Sequence, residues 1–359
     1  MTFQRLTLSA GHDKRANLAL LIAACACLAA AAFGLCVGAT AIPPSRVTSA
    51  LWREIALGGA SAAEGDHFIV VGLRLPRVVL GLEIGAALAL AGAMMQGLFR
   101  NPLADPGLVG VTSGAGLAVA VTIVLGEKIW GVGAGLLHVA ALPADAFLGG
   151  LAATVFIYIL ATRGGRTSMT VMLLAGVALS AVAGAATALL SYLSDDRQLR
   201  DLSFWFLGSL GGATWGKAAI LALALVPALI AMPWLARGLN GLAFGEAEAF
   251  HLGLRTEAIK GAAIGLIALA VGASVAAAGA IGFIGLVAPH LVRLMTGPDH
   301  RALLPLSALC GATLLVGADA LARTLLAPAE LPVGVLTASI GAPFFLWLLL
   351  RDQVRSELT

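Results

Sequence analysis

Long apolar runs, separated by short clusters of charge, proline and glycine, dominate the chain. A helix needs about 20 apolar residues to cross roughly 30 Å of hydrocarbon. Ten stretches satisfy that rule: about 18–39, 76–98, 107–125, 144–162, 168–193, 216–235, 259–280, 281–296, 302–322 and 333–350. The apolar run over 259–296 is continuous, and Gly279-Ala280-Ile281-Gly282 is where two spans can divide, because glycine tolerates a tight turn. The pattern predicts an all-α, polytopic membrane protein, with residues 1–359 forming one transmembrane domain and both termini on the same side.

Composition removes the soluble alternative. With 60% hydrophobic and 11% charged residues, the chain carries more apolar surface than a soluble domain can hide. In lipid every segment must pair its own backbone groups, so the spans are helices. Cys25, Cys27, Cys36 and Cys310 all fall inside apolar runs and read as small packing residues, not disulfides or metal ligands. A net charge of +3, with no basic tract interleaved with aromatics, gives no case for nucleic acid. Ile22-Ala23-Ala24-Cys25 after Lys14-Arg15 resembles a lipoprotein cleavage box, but the apolar run continues through Val37 and reads as a first membrane helix.

Positive charge chooses the orientation. With the N-terminus cytoplasmic, 13 of the 22 Lys+Arg and 8 of the 19 Asp+Glu face the cytoplasm, which leaves a basic excess inside and an acidic one outside. Arg74, Arg77 and Arg323 oppose that trend at external helix ends, either as snorkelling residues or as a docking surface. Gly85–Ala93 and Gly272–Ala280 match at six of nine positions and run in opposite senses, as an inverted repeat requires. Between spans, Ile42–Leu73 forms an external segment, and Leu202–Leu210 is too short to cross, so it predicts a re-entrant or surface helix. On the inner side, Gly245–Gly253 predicts an amphipathic helix ending at glycine, suited to a partner or to the membrane surface.

Two catalytic patterns fail on inspection. Gly211–Lys217 has phosphate-loop spacing, but Ala218 stands where a magnesium-binding hydroxyl is needed and no strand precedes it. Gly272-Ala273-Ser274-Val275 resembles an intramembrane serine protease motif, with His290 as a possible base, but no oxyanion donor is supplied. The six histidines are scattered without ligand spacing, so no metal site is expected. Among intramembrane charges, Asp319 and Arg323 are spaced to pair at i,i+4. Glu83 is either a pathway carboxylate or the partner of an external arginine.

Five stretches then carry a resemblance. Arg74-Leu75-Pro76-Arg77, the run from Ala91 to Gly116, Gly245–Leu254, Gly279–Arg293 and Ala329–Leu350 are together similar to the FecCD-type permeases, membrane subunits of type II ABC importers for cobalamin, ferric siderophores and haem. The resemblance implies a homodimer, two ATPase subunits that hold ATP and Mg, and a periplasmic binding protein, in a bacterial inner membrane with both termini cytoplasmic. This chain then binds no cofactor and catalyses no reaction. By the same resemblance Arg74, Arg77 and Arg323 dock the binding protein, while Gly245, Glu246, Glu248, Ala249, Leu252 and Gly253 form the coupling helix that meets the ATPase. Asn101 and Leu103, with Ser168, Met169 and Thr170, occupy gate positions, although Gly164-Gly165 and Met169 depart from the more polar stretch expected there. The Tyr192–Trp205 stretch looks most like the haem importers. Met94, Met95, Trp205 and Phe206 would suit the apolar face of haem, and Arg197 or Arg200 its carboxylates, with Glu83 as a further pathway residue. The alternatives are cobalamin or a ferric siderophore and, more remotely, an ion-coupled secondary transporter using Glu83 and Asp319.

Overall fold

A computed structural model describes residues 3–38, 40–57, 65–130 and 135–357. The chain runs through α1 (Phe3–Cys36), α2 (Pro44–Leu57) and α3 (Gly65–His67), and a π-helical segment at Phe68–Arg74 leads into α4 (Leu75–Phe99). A 3₁₀ turn at Pro106–Val109 precedes α5 (Val111–Trp130) and α6 (Gly135–Ala161), and a two-stranded hairpin, β1 (Thr162–Arg163) and β2 (Arg166–Thr167), leads to α7 (Met169–Leu193). Next come α8 (Asp196–Leu207), α9 (Trp215–Leu242), α10 (Glu246–His251), α11 (Thr256–Ala278), α12 (Ile284–Thr296), α13 (His300–Leu325) and α14 (Val333–Glu357). Among the described residues seven helices are long and apolar enough to cross a membrane, and three shorter apolar ones, at Val111–Gly126, Ile284–Thr296 and Val333–Trp347, fall on the other expected stretches.

Helix α4 lies at the centre, packed against α9, α11, α12 and α13. Its composition makes this possible. A Cβ on Gly85 would overlap the Gly311 carbonyl of α13, and one on Gly92 would overlap the Gly285 carbonyl of α12. Backbones therefore touch, and because lipid tails leave no hydrophobic force between helices, association rests on this close van der Waals packing. Outward faces carry the apolar belt: Leu174, Val182 and Leu189 on α7, and Ile220, Leu223 and Ile230 on α9, are all exposed. The two echoing segments sit in α4 and α11, which pack on each other.

Three expectations are refined. The stretch read as 281–296 is only a 13-residue helix, α12. Non-helical chain precedes it, with Gly279 and Phe283 both at positive φ (75° and 67°). Protein covers this irregular chain: the Ser209 N–H donates to the Ala278 carbonyl at 2.8 Å, and Gly279 abuts the Trp205 carbonyl. Non-helical backbone is tolerated at membrane depth where other elements enclose it. Secondly, Ile42–Leu73 contains the amphipathic α2, which buries Val47 and Ala50, although 58–64 lie outside the described residues. Thirdly, the surface-helix stretch begins earlier than Leu202, because Asp195 and Gln198 form a reciprocal capping box that starts α8 at Asp196.

Close packing at α4 predicts a sharp contrast between two glycines. Gly92→Leu is expected to destabilise the detergent-solubilised protein by about 3 kcal/mol or more, read as a lower thermal transition. Gly265→Leu, on an exposed face of α11 with open space beside it, should stay close to the parent.

Candidate functional site: two polar ends of the bundle

Charge gathers at both ends of the bundle. At the end where α1 and α13 finish and α4 begins, Arg77 donates to both Asp319 oxygens, with Nη2 to Oδ1 at 2.8 Å, and Nη1 reaches Glu330 at 2.8 Å. The Arg323 Nε lies 3.1 Å from Asp319 Oδ2, which is the i,i+4 pair expected from the sequence. Its Nη2 donates to the Gly34 carbonyl at 2.9 Å. Arg74 Nη1 donates to the Leu35 and Cys36 carbonyls at 2.7 and 3.0 Å, and Nη2 to the Thr40 carbonyl. The two arginines thus cap the end of α1, where the last carbonyls have no helical partner and the helix dipole is negative.

The three arginines are brought together, and two of them are committed within the chain. Arg74 and Arg323 are 6% and 4% exposed and committed to α1, because its carbonyls need donors more than the rim needs charge. Arg77 and its partner Glu330 are the members nearest solvent, with side chains 12% and 44% exposed. Neither the α1 contacts nor Glu330 was legible from local spacing.

At the opposite end a pocket of about 550 Å³ is lined by Arg100, Asn101, Ser168, Met169, Thr170 and Glu246, among others. Four of the five expected gate residues therefore meet; Leu103 is not among the lining, and its N–H instead donates to Asn101 Oδ1 at 2.9 Å. Ser168 caps α7 by accepting the Val171 N–H. Gly164 and Gly165, at φ 57° and 73°, form the two-residue turn of the β1–β2 hairpin, in which Thr162 pairs with Thr167. A primed turn needs positive φ at both positions, so these glycines serve the backbone and not a gate contact. Nearby, Asp105 accepts the Gly107 N–H at 2.7 Å to start the 3₁₀ turn. Burial holds the Asp105 carboxyl above its usual range, against the pull of that N–H.

Helix α10 sits beside this pocket. Gly245 and Gly253, at φ 122° and 80°, bracket it, and Ala249 is fully buried. Phe244, Phe250 and Leu252 are 75%, 70% and 67% exposed, an apolar surface of the kind that marks a protein contact. Sequence reasoning picked the helix but left out Phe244 and Phe250. It also missed Lys260, which is buried and paired with Glu246 at 2.9 Å and Glu257 at 2.6 Å; a lysine one turn into a membrane helix was the available signal.

The expected substrate residues do not converge. Met94 and Met95 are fully buried in the core around α4, enclosed by its neighbours, and are corrected to packing residues. Arg197 and Arg200 are exposed on α8. Trp205 and Phe206 meet edge to face at 5.2 Å, beside Gly116 of α5. Arg200 and Phe204 line a shallow groove of about 380 Å³ along α8. Glu83 is half-buried on α4, and its Oε2 has no hydrogen-bond partner among the described residues. The failed motifs have local explanations: Lys217 Nζ donates to the Ala277 carbonyl at 3.1 Å, and Ser274 Oγ to Ala270 at 2.7 Å.

Comparison with known proteins agrees with this architecture. A profile of the FecCD transport family matches residues 23–351. The chain is 48% identical over 297 residues to the hemin transport system permease protein HmuU of Yersinia pestis, covering 83% of this chain and 87% of that one. It is 42% identical over 294 residues to the cobalamin import system permease protein BtuC of Halobacterium salinarum, covering 82% and 76%. Among solved structures, an inward-facing metal-chelate type ABC transporter superposes with a TM-score of 0.77 at 30% identity, over 92% of this chain and 98% of that one. With a membrane bundle, irregular backbone sealed by protein and a match along nearly its whole length, the chain belongs to the FecCD transport family.

Proposed function

We propose that the chain is the permease subunit of an ATP-driven importer whose substrate is haem, received from a periplasmic binding protein and released to the cytoplasm. The observation that carries this reading is the 48% identity to a hemin permease across most of both chains, above the 42% to 45% shared with cobalamin and vitamin B12 permeases. Two copies form the pathway. Two ATPase subunits, holding ATP and Mg, dock on α10 from the cytoplasm, and both termini lie on that side of the inner membrane. The exposed Phe244, Phe250 and Leu252 support the coupling role, with Ala249 anchoring the helix from below. The pocket between Asn101 and Ser168–Thr170 supports a gate next to it. At the outer end Arg77 and Glu330 meet the binding protein, while Arg74 and Arg323 hold α1 in place beneath them. Differential affinity of binding protein and nucleotide for two conformations supplies the coupling.

Vesicles containing the chain with its co-expressed ATPase should take up haem when loaded binding protein and ATP are present. Cobalamin uptake without haem uptake would move the substrate to the alternative, and uptake by the chain alone under an ion gradient would replace the importer reading with a secondary transporter. Within the complex, Glu330→Lys, at the half-exposed member of the pair, should weaken binding-protein stimulation of ATP hydrolysis by about tenfold, consistent with loss of a close interfacial charge pair. Arg74→Glu should instead lower folded yield, because the Leu35, Cys36 and Thr40 carbonyls lose the guanidinium that joins them. On the inner face, Phe250→Ser should reduce co-purification of the ATPase severalfold while leaving the melting temperature of the isolated permease close to the parent's, as expected for an exposed interface aromatic.

A further inference from the structure

Among the described residues Lys260 is the largest wholly enclosed side chain, 1% exposed, and its charge is unused by any role assigned above. Burying an ammonium group costs several kcal/mol unless partners surround it. Its partners lie on three separate elements. Nζ is 2.9 Å from Glu246 of α10, 2.6 Å from Glu257 of its own α11, and donates to the Thr167 carbonyl of β2 at 2.8 Å. Glu257 closes the ring by accepting the Thr167 N–H at 2.9 Å. Both polar groups of the Thr167 backbone are thus held by one lysine–glutamate unit.

Position gives the unit its consequence. Thr167 precedes Ser168, which caps α7, and Ser168–Thr170 line the pocket that Glu246 also borders. An i,i+3 pair with Glu257 alone would stabilise α11 without reaching the hairpin. As built, a displacement of α10 must either carry Lys260 and Thr167 with it or break the Glu246 bond and leave the buried ammonium with one carboxylate in place of two. We propose that Lys260 is the positioning residue that transmits displacement of α10 to the chain at Ser168–Thr170. This rests on reading α10 as the ATPase contact and the pocket as the gate.

The test uses the full complex of permease and ATPase in lipid nanodiscs, with Thr170→Cys as a reporter in a chain whose four native cysteines are serine. The rate of labelling by a water-soluble maleimide is compared with and without ATP plus vanadate. The parent should show a change of about fivefold or more, the scale of ordinary coupling energies, and Lys260→Met should reduce it to less than about twofold. Lys260→Arg, which keeps the charge, should recover most of the response. A lysine that merely stabilises the fold would alter yield and melting but leave the ATP-dependent ratio at the parent value, and that result overturns the proposal. If Lys260→Met fails to assemble, Glu246→Gln decides, since that side chain is half-exposed and Lys260 keeps Glu257: a parent-sized response there also overturns it. A parent complex without any ATP-dependent change would instead overturn the importer reading, and this inference with it.

Discussion

A carbonyl that emerges from the end of a helix inside a membrane protein has no water to turn to, and several of this chain's buried cations answer that constraint. Arg74 and Arg323 take the last carbonyls of α1, Lys217 takes one at the end of α11, and Lys260 takes one from the β2 strand. Each cation is at once a backbone cap and a member of a charge group or a helix-end contact. The distinction between structural and functional charge therefore breaks down here. Asp319 shows the point: it neutralises Arg323 while holding Arg77 at the end of the bundle where α4 begins.

The same economy shapes the apolar interior. In α4 glycine and alanine remove the side chains that would keep neighbouring helices apart, so that the central helix is enclosed on nearly every face. Enclosure places Met94 and Met95 in the core and leaves α8, with Trp205, Phe206 and the arginines of its first turns, as a polar–aromatic surface. Bulk is placed where it faces lipid or a partner, and small residues where backbones cross.

Most of this architecture was legible because lipid makes hydropathy a strong signal: the seven long helices lie on stretches visible in the sequence, and α10 is bracketed by glycines that name its ends. What escaped shares a physical cause. The shortness of α12 depends on chain sealed by α8 and by the start of α14, contacts made far along the sequence. The burial of Arg74 depends on carbonyls 34 to 39 positions earlier, and the pairing of Arg77 on groups 242 and 253 positions later. Hydropathy reports the environment of a segment but not its partners. The gate glycines misled for the opposite reason: Gly164 and Gly165 answer a local turn requirement that was read as a departure in gate chemistry.

The capping of α1 also bears on how the molecule comes together. Arg323 donates to Gly34 across 289 positions of sequence, from a helix made long after α1. Until α13 is in place, α1 has an end that is only partly satisfied. Its placement before then depends on hydropathy and flanking charge, and the clasp closes only once α13 is present. A chain stopped short of α13 would carry α1 in the membrane without that clasp, so completion of the ninth apolar stretch serves as a check on the first.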